Sequence, residues 1–175
     1  KFLARELPLV VPLAPAPPHA PELHERFHDV MGEQTVRLLF EEWLPARTAA
    51  EAAADWGGDR LSVFGDDARQ RWAIGWHLRF DSAAAAERAF VALARAAPLT
   101  ELGHKDQALP DTAESVKHAS DKVCRPRHNQ GPLALVRRGR DLGVTVGPFQ
   151  RSTAPVAADP DCKAALIWAA QIASN

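Results

Sequence analysis

From Arg71 to Phe80 the chain alternates strictly, with Trp72, Ile74, Trp76, Leu78 and Phe80 on one side and Arg71, Ala73, Gly75, His77 and Arg79 on the other. Successive side chains of a strand point to opposite faces, so this segment is a strand with one apolar face in a core. Just upstream, Arg60 to Phe64 reads as a second strand, and Gly65-Asp66-Asp67-Ala68 closes the pair as a hairpin. A sheet that is apolar on one face needs a second layer to cover it, and the rest of the chain supplies helices.

Those helices follow from periodicity and from stop signals. Leu23, Phe27, Val30, Met31, Leu38, Leu39 and Trp43 recur at three- and four-residue steps, which predicts an amphipathic helix over Glu22–Leu44, interrupted near Gly32 and ended by Pro45. Thr48, with Glu51 at the capping-box position, predicts a short alanine-rich helix reaching about Asp55. Asp81-Ser82 caps a helix over Ala83–Ala97 that Pro98 stops, and the last helix runs from Cys162 to Ala173. A second hairpin pairs Leu133–Arg137 with Leu142–Val146 across Arg138-Gly139-Arg140-Asp141, while residues 99–130 read as a long irregular excursion with room for a short strand or helix. The class is α+β: antiparallel β-hairpins packed against three or four helices.

The N-terminal 1–21 segment is different. Pro8, Pro12, Pro15, Pro17, Pro18 and Pro21 fix φ and remove backbone donors, so it is an extended arm. Phe2, Leu3, Leu7, Leu9, Val10, Val11 and Leu13 are too many apolar residues for a free tail, so the arm is expected to lie along a folded body formed by residues 22–175. That body is read as a single domain, part of a larger or cleaved protein, because the chain opens on Lys1 inside an apolar phrase. The whole chain's net charge of −1 gives no global attraction to nucleic acid or anionic membrane. No apolar run approaches the ~20 residues a membrane-spanning helix needs. The residues from Lys117 to Arg151 are locally basic, as a solvated face often is.

His24-Glu25-Arg26-Phe27-His28 matches the HExxH zinc pattern. On a helix that spacing puts His24 and His28 on one face as ligands, with Glu25 placed to activate a bound water. The metzincin continuation fails, because Met31 and Gln34 stand where glycine and histidine are required. Glu41, Glu42 and Glu51 compete as a third ligand, and nothing singles one out. The alternative is an ordinary helix whose histidines sit on the surface or are satisfied in the core. His77 lies opposite the apolar face of its strand and reads as structural. No GxSxG phrase anchors a hydrolase triad, and neither GxxxxGK[ST] nor GxGxxG builds a phosphate loop. Cys124 and Cys162 lack CxxC spacing. They are either two reduced core thiols or a disulfide, which would need an oxidising compartment. The Pro- and Asp-rich coil around them favours the disulfide, worth about 3–4 kcal/mol in the chain-entropy model.

Trp56-Gly57-Gly58-Asp59-Arg60 joins helix to strand and is expected to be a turn, with two glycines free to take positive φ and an aspartate to bond nearby amides. Together with Met31-Gly32-Glu33-Gln34-Thr35-Val36-Arg37-Leu38-Leu39-Phe40 and Phe80-Asp81-Ser82-Ala83, it resembles the C-terminal region of a group of exported bacterial and haloarchaeal zincin-like proteins. In that group a zincin-like N-terminal half with its own HExxH-type helix precedes a helix–WxGDR–hairpin–helix unit. The likeness covers roughly residues 1–95. It implies that the metal-binding helix lies upstream of Lys1, that this chain's partner is that upstream catalytic-type region, and that no catalytic residue and no cofactor belong to this chain. It also implies export, to the periplasm, the cell surface or the medium.

The expected function is therefore a non-catalytic accessory region of an exported zinc-peptidase-like protein, acting in packing, substrate contact or partner binding. The alternatives are a small zinc hydrolase using His24, Glu25 and His28, and a secreted or periplasmic binding module with tryptophans lining a pocket.

Overall fold

A computed structural model describes residues 7–42, 44–68, 70–96, 121–125, 131–150 and 162–175. The elements in chain order are β1 (His24–Asp29), α1 (Gly32–Glu41), α2 (Ala46–Ala53), β2 (Trp56–Gly65), β3 (Arg71–Phe80), α3 (Ala83–Ala96), β4 (Lys122–Arg125), β5 (Leu133–Arg138), β6 (Asp141–Gln150) and α4 (Cys162–Ile172). The strands form one antiparallel sheet in the order β1-β2-β3-β6-β5-β4, an α+β fold. The two hairpins read from the sequence sit side by side through β3 and β6 at the centre of that sheet.

Both faces of the central strands are covered. On one face, Trp76, Leu78 and Phe80 of β3 join Leu135, Leu142 and Val144 in a core with α1, α2 and α3. On the other, α4 packs its Ala165, Trp168, Ala169 and Ile172 over Ala73, Ala134 and Val136. The strand alternation predicted one buried face, and the structure corrects this. The second face is buried because its residues are small. A Cβ on Gly143 would come within 1.9 Å of the Ala169 carbonyl oxygen, and one on Gly75 would touch Ala14, Trp168 and Ile172. Bare backbone at these points lets a helix settle close to the sheet. Cys124 on β4 and Cys162 at the start of α4 are bonded, with Cα atoms 5.8 Å apart, which staples this helix to the sheet edge.

The described part of the proline-rich arm lies against the same face as α4. Val11, Ala14, Pro17 and Ala20 are buried while the residues between them are exposed or partly exposed. A burial period of three is that of a polyproline II helix, which has three residues per turn and no internal hydrogen bonds. The arm finds its partners elsewhere: Leu9 N–H donates to the Gly57 carbonyl at 2.8 Å, and the Trp168 indole N–H donates to the Pro15 carbonyl at 2.8 Å.

Two sequence readings need correction here. The helix expected over Glu22–Leu44 is strand β1 followed by helix α1, because His24–Asp29 pairs with β2 and Gly32, at φ +77°, turns the chain between them. Leu23 is fully buried, but Phe27 and Val30 are exposed, so the spacing that suggested a helix was not a buried stripe. Helix α2 starts at Ala46 after Pro45, earlier than Thr48, and Glu51 pairs with Arg47 instead of closing a capping box. Strand β4 is the short element allowed for within the 99–130 excursion; the rest of 99–130 lies outside the described residues apart from Asp121. Helix α3 is capped as expected, with the Ser82 hydroxyl accepting the Ala85 N–H at 3.1 Å.

Candidate functional site

The HExxH segment lies on β1, an edge strand, with all six of its residues exposed. Its pairing decides what the motif can do. His24 stands opposite Gly65 and His28 opposite Ser62, and a bulge between Glu25 and Phe27 absorbs Arg26. Directly paired residues share a face, and Gly65 and Ser62 are an odd number of residues apart on β2. The two imidazoles therefore project from opposite faces of the sheet. The geometry that lets HExxH hold zinc, two histidines one helical turn apart with Glu25 beside them, is not formed. Glu25 instead accepts a hydrogen bond from Ser62 at 3.4 Å and meets His28 Nδ1 at 2.6 Å, so the carboxylate stands between serine and imidazole. In a Ser-His-acid triad the imidazole occupies that middle place. Among the described residues no group of three or more histidine, cysteine, aspartate or glutamate side chains is placed to hold a metal.

Trp56, Gly57, Gly58, Asp59 and Arg60 were read as a turn, and this too is corrected: they are the first half of strand β2, with a bulge at Gly57. Each residue is committed to packing. Trp56 is in the core beneath the helices. Gly57 and Gly58 seat the arm, since a Cβ on Gly58 would lie 2.4 Å from the Leu9 carbonyl oxygen. Asp59 is 2% exposed and accepts three N–H donors: Met31 at 3.0 Å, Gly32 at 3.0 Å and the Trp76 indole at 2.9 Å. The first two are the unsatisfied amides at the start of α1, whose own N-cap residue, Met31, supplies no side-chain bond. A carboxylate in the core is tolerable when donors surround it, and the positive end of a helix favours it further. Asp55 reaches away to Arg88, at 2.8 Å.

Arg60 faces the other way. Its register partner is His77, on the face shared with α4 and the arm. The buried Nε of Arg60 and Nδ1 of His77 have no hydrogen-bond partner among the described residues. Next to them Asp141 joins β6 to β3, taking His77 Nε2 at 2.8 Å and Arg79 Nε at 2.6 Å. Burial pushes the Asp141 carboxyl up, but the hydrogen bonds from His77 and Arg79 outweigh it and hold the group below the usual aspartate range. His77 is 1% exposed, a core histidine with Nε2 held by Asp141 and Nδ1 unpartnered among the described residues. The role of Asp141 was not read from the sequence, where it stood only as a turn residue. Hairpin register sets it against Arg138, and only the non-local pairing of β6 with β3 brings it to Arg79.

Three of the tryptophans (Trp56, Trp76 and Trp168) are at most 5% exposed, so they build core rather than line an open pocket. Over residues 21–155 the chain matches the model of a domain of unknown function, DUF8575. The chain belongs to the DUF8575 family. The match begins where the arm ends and runs past β6, so the DUF8575 region contains the whole sheet and the helices α1 to α3, while α4 lies beyond it. No curated protein and no solved structure matches the chain. Asp59 and Asp141 are spent on the fold itself, and the disulfide staples α4 to the edge of the sheet.

Proposed function

We propose that this chain is a non-catalytic accessory region of an exported protein, working through packing, substrate contact or partner binding. The observation that supports this most directly is the placement of His24 and His28 on opposite faces of an exposed strand, so the two do not form a shared ligand face beside Glu25. Export is favoured by the Cys124–Cys162 disulfide, a bond that persists in oxidising compartments. No helix among the described residues is long and apolar enough to cross a membrane. The companion region suggested by the sequence resemblance is a zincin-like segment upstream. The test is to incubate the purified chain with labelled casein, with and without added zinc and chelator. The expected result is no chelator-sensitive cleavage; zinc-dependent turnover by this chain alone would refute the reading.

A further inference from the structure

An open groove of about 550 Å³ runs between α4 and the β4–β5 edge of the sheet. Register places Lys122, Val136 and Arg138 on the sheet face that α4 covers, because Lys122 pairs with Val136, Val136 with Gly143, and Arg138 with Asp141. From α4 come Lys163, Leu166, Ile167 and Ala170. The floor is thus apolar, with Ile167 48% exposed, and the rim carries Lys122, Arg138 and Lys163. Neither Arg138 nor Lys163 forms an ion pair with another described residue. Asp121, which also borders the groove, is engaged by Arg137. Lys163 sits in the first turn of α4, where the helix dipole adds positive potential. The Cys124–Cys162 bond ties one wall to the other, so the groove is held at a set width.

From this we propose that the groove is a docking site for an acidic, leucine-rich peptide segment of a partner protein. It rests on the reading of the chain as a contact module and names the partner's chemistry. The charge pattern selects carboxylates along the rim and apolar side chains along the floor. The groove lies beside the edge strand β4, where an extended chain can run along the sheet edge. Rim charges act chiefly on encounter rate and salt dependence, so binding should weaken as salt screens them.

The experiment is fluorescence anisotropy of the full, oxidised chain with a labelled peptide alternating glutamate and leucine. A lysine–leucine peptide and vesicles of anionic phosphatidylglycerol serve as competitors of other chemistry. The expected result is saturable, salt-sensitive binding of the acidic peptide, weakened at least about tenfold in the double variant Arg138→Glu/Lys163→Glu. Circular dichroism and thermal unfolding would verify that this variant folds, and Ile167→Asp supplies an independent change on the floor that should also weaken binding. Equal binding of the lysine–leucine peptide, no effect of charge reversal in a folded variant, or binding to vesicles but not to peptide would each overturn the proposal. Those failures leave the casein result untouched, so the groove and the non-catalytic reading stand or fall separately.

Discussion

Asp59 accepts the indole N–H of Trp76 at 2.9 Å inside the core, and the same carboxylate closes the N-terminus of α1. One side chain on β2 therefore links a strand neighbour on β3 to a helix that precedes both. Asp59→Ala removes the acceptor for three N–H groups at once. We expect a loss of roughly 3 kcal/mol, since an unmet buried donor costs about 1–3 kcal/mol and a lost helix cap about 1. Urea unfolding measures it. Asp59→Asn, which keeps one acceptor oxygen, should fall between wild type and alanine.

Asp141 makes stability depend on acid. Its folded pKa lies below the unfolded value, so its contribution is complete above the ordinary carboxylate range and is lost as pH falls through the folded value. Asp141→Asn should therefore destabilise the protein at neutral pH by roughly 1–3 kcal/mol. The gap to wild type should close as the pH is taken well below 4, about the ordinary aspartate value. Thermal melts across that range, at constant ionic strength, follow the convergence.

The close seat of α4 gives a sharp contrast between two glycines. Gly143→Ala drives a methyl group into the Ala169 carbonyl, which is backbone and cannot rotate away. Helix α4 must shift, at a cost of roughly 2–4 kcal/mol. At Gly139, with φ +59° and nothing within 4 Å of an added Cβ, alanine meets only its own backbone strain, about 1 kcal/mol. Chemical denaturation of the two variants side by side should preserve that order.

Much of the architecture was legible because local pattern and tertiary outcome agreed. The alternation of Arg71–Phe80 gave β3 its boundaries, and Ser82 marked the start of α3. Where they disagreed, tertiary pairing won. His24–Asp29 has no strong local preference, and its hydrogen bonds to β2 make it a strand. The second covered face was visible only as absences: Ala73, Gly75 and Gly143 are small, and smallness reads as weak signal until something packs on it. Asp59 and Arg60 are adjacent in sequence, and only the strand sends them to opposite faces with unrelated tasks.

The disulfide closes a separation of 38 residues between β4 and α4. In the chain-entropy model a loop of this size is worth about 4 kcal/mol, so the Cys124→Ser/Cys162→Ser pair should lower stability by about that amount. Reduction of the wild type should reproduce the shift, and the double variant should not respond to reductant. Melting curves with and without dithiothreitol compare all four states.

The most direct measurement is the metal content and zinc affinity of the purified chain, with His24→Ala and His28→Ala beside it. With the imidazoles on opposite faces of β1, the expected outcome is no tightly bound zinc and indistinguishable titrations for all three proteins. One zinc per wild-type chain, lost on replacing either histidine, would contradict the strand placement and restore the HExxH chemistry.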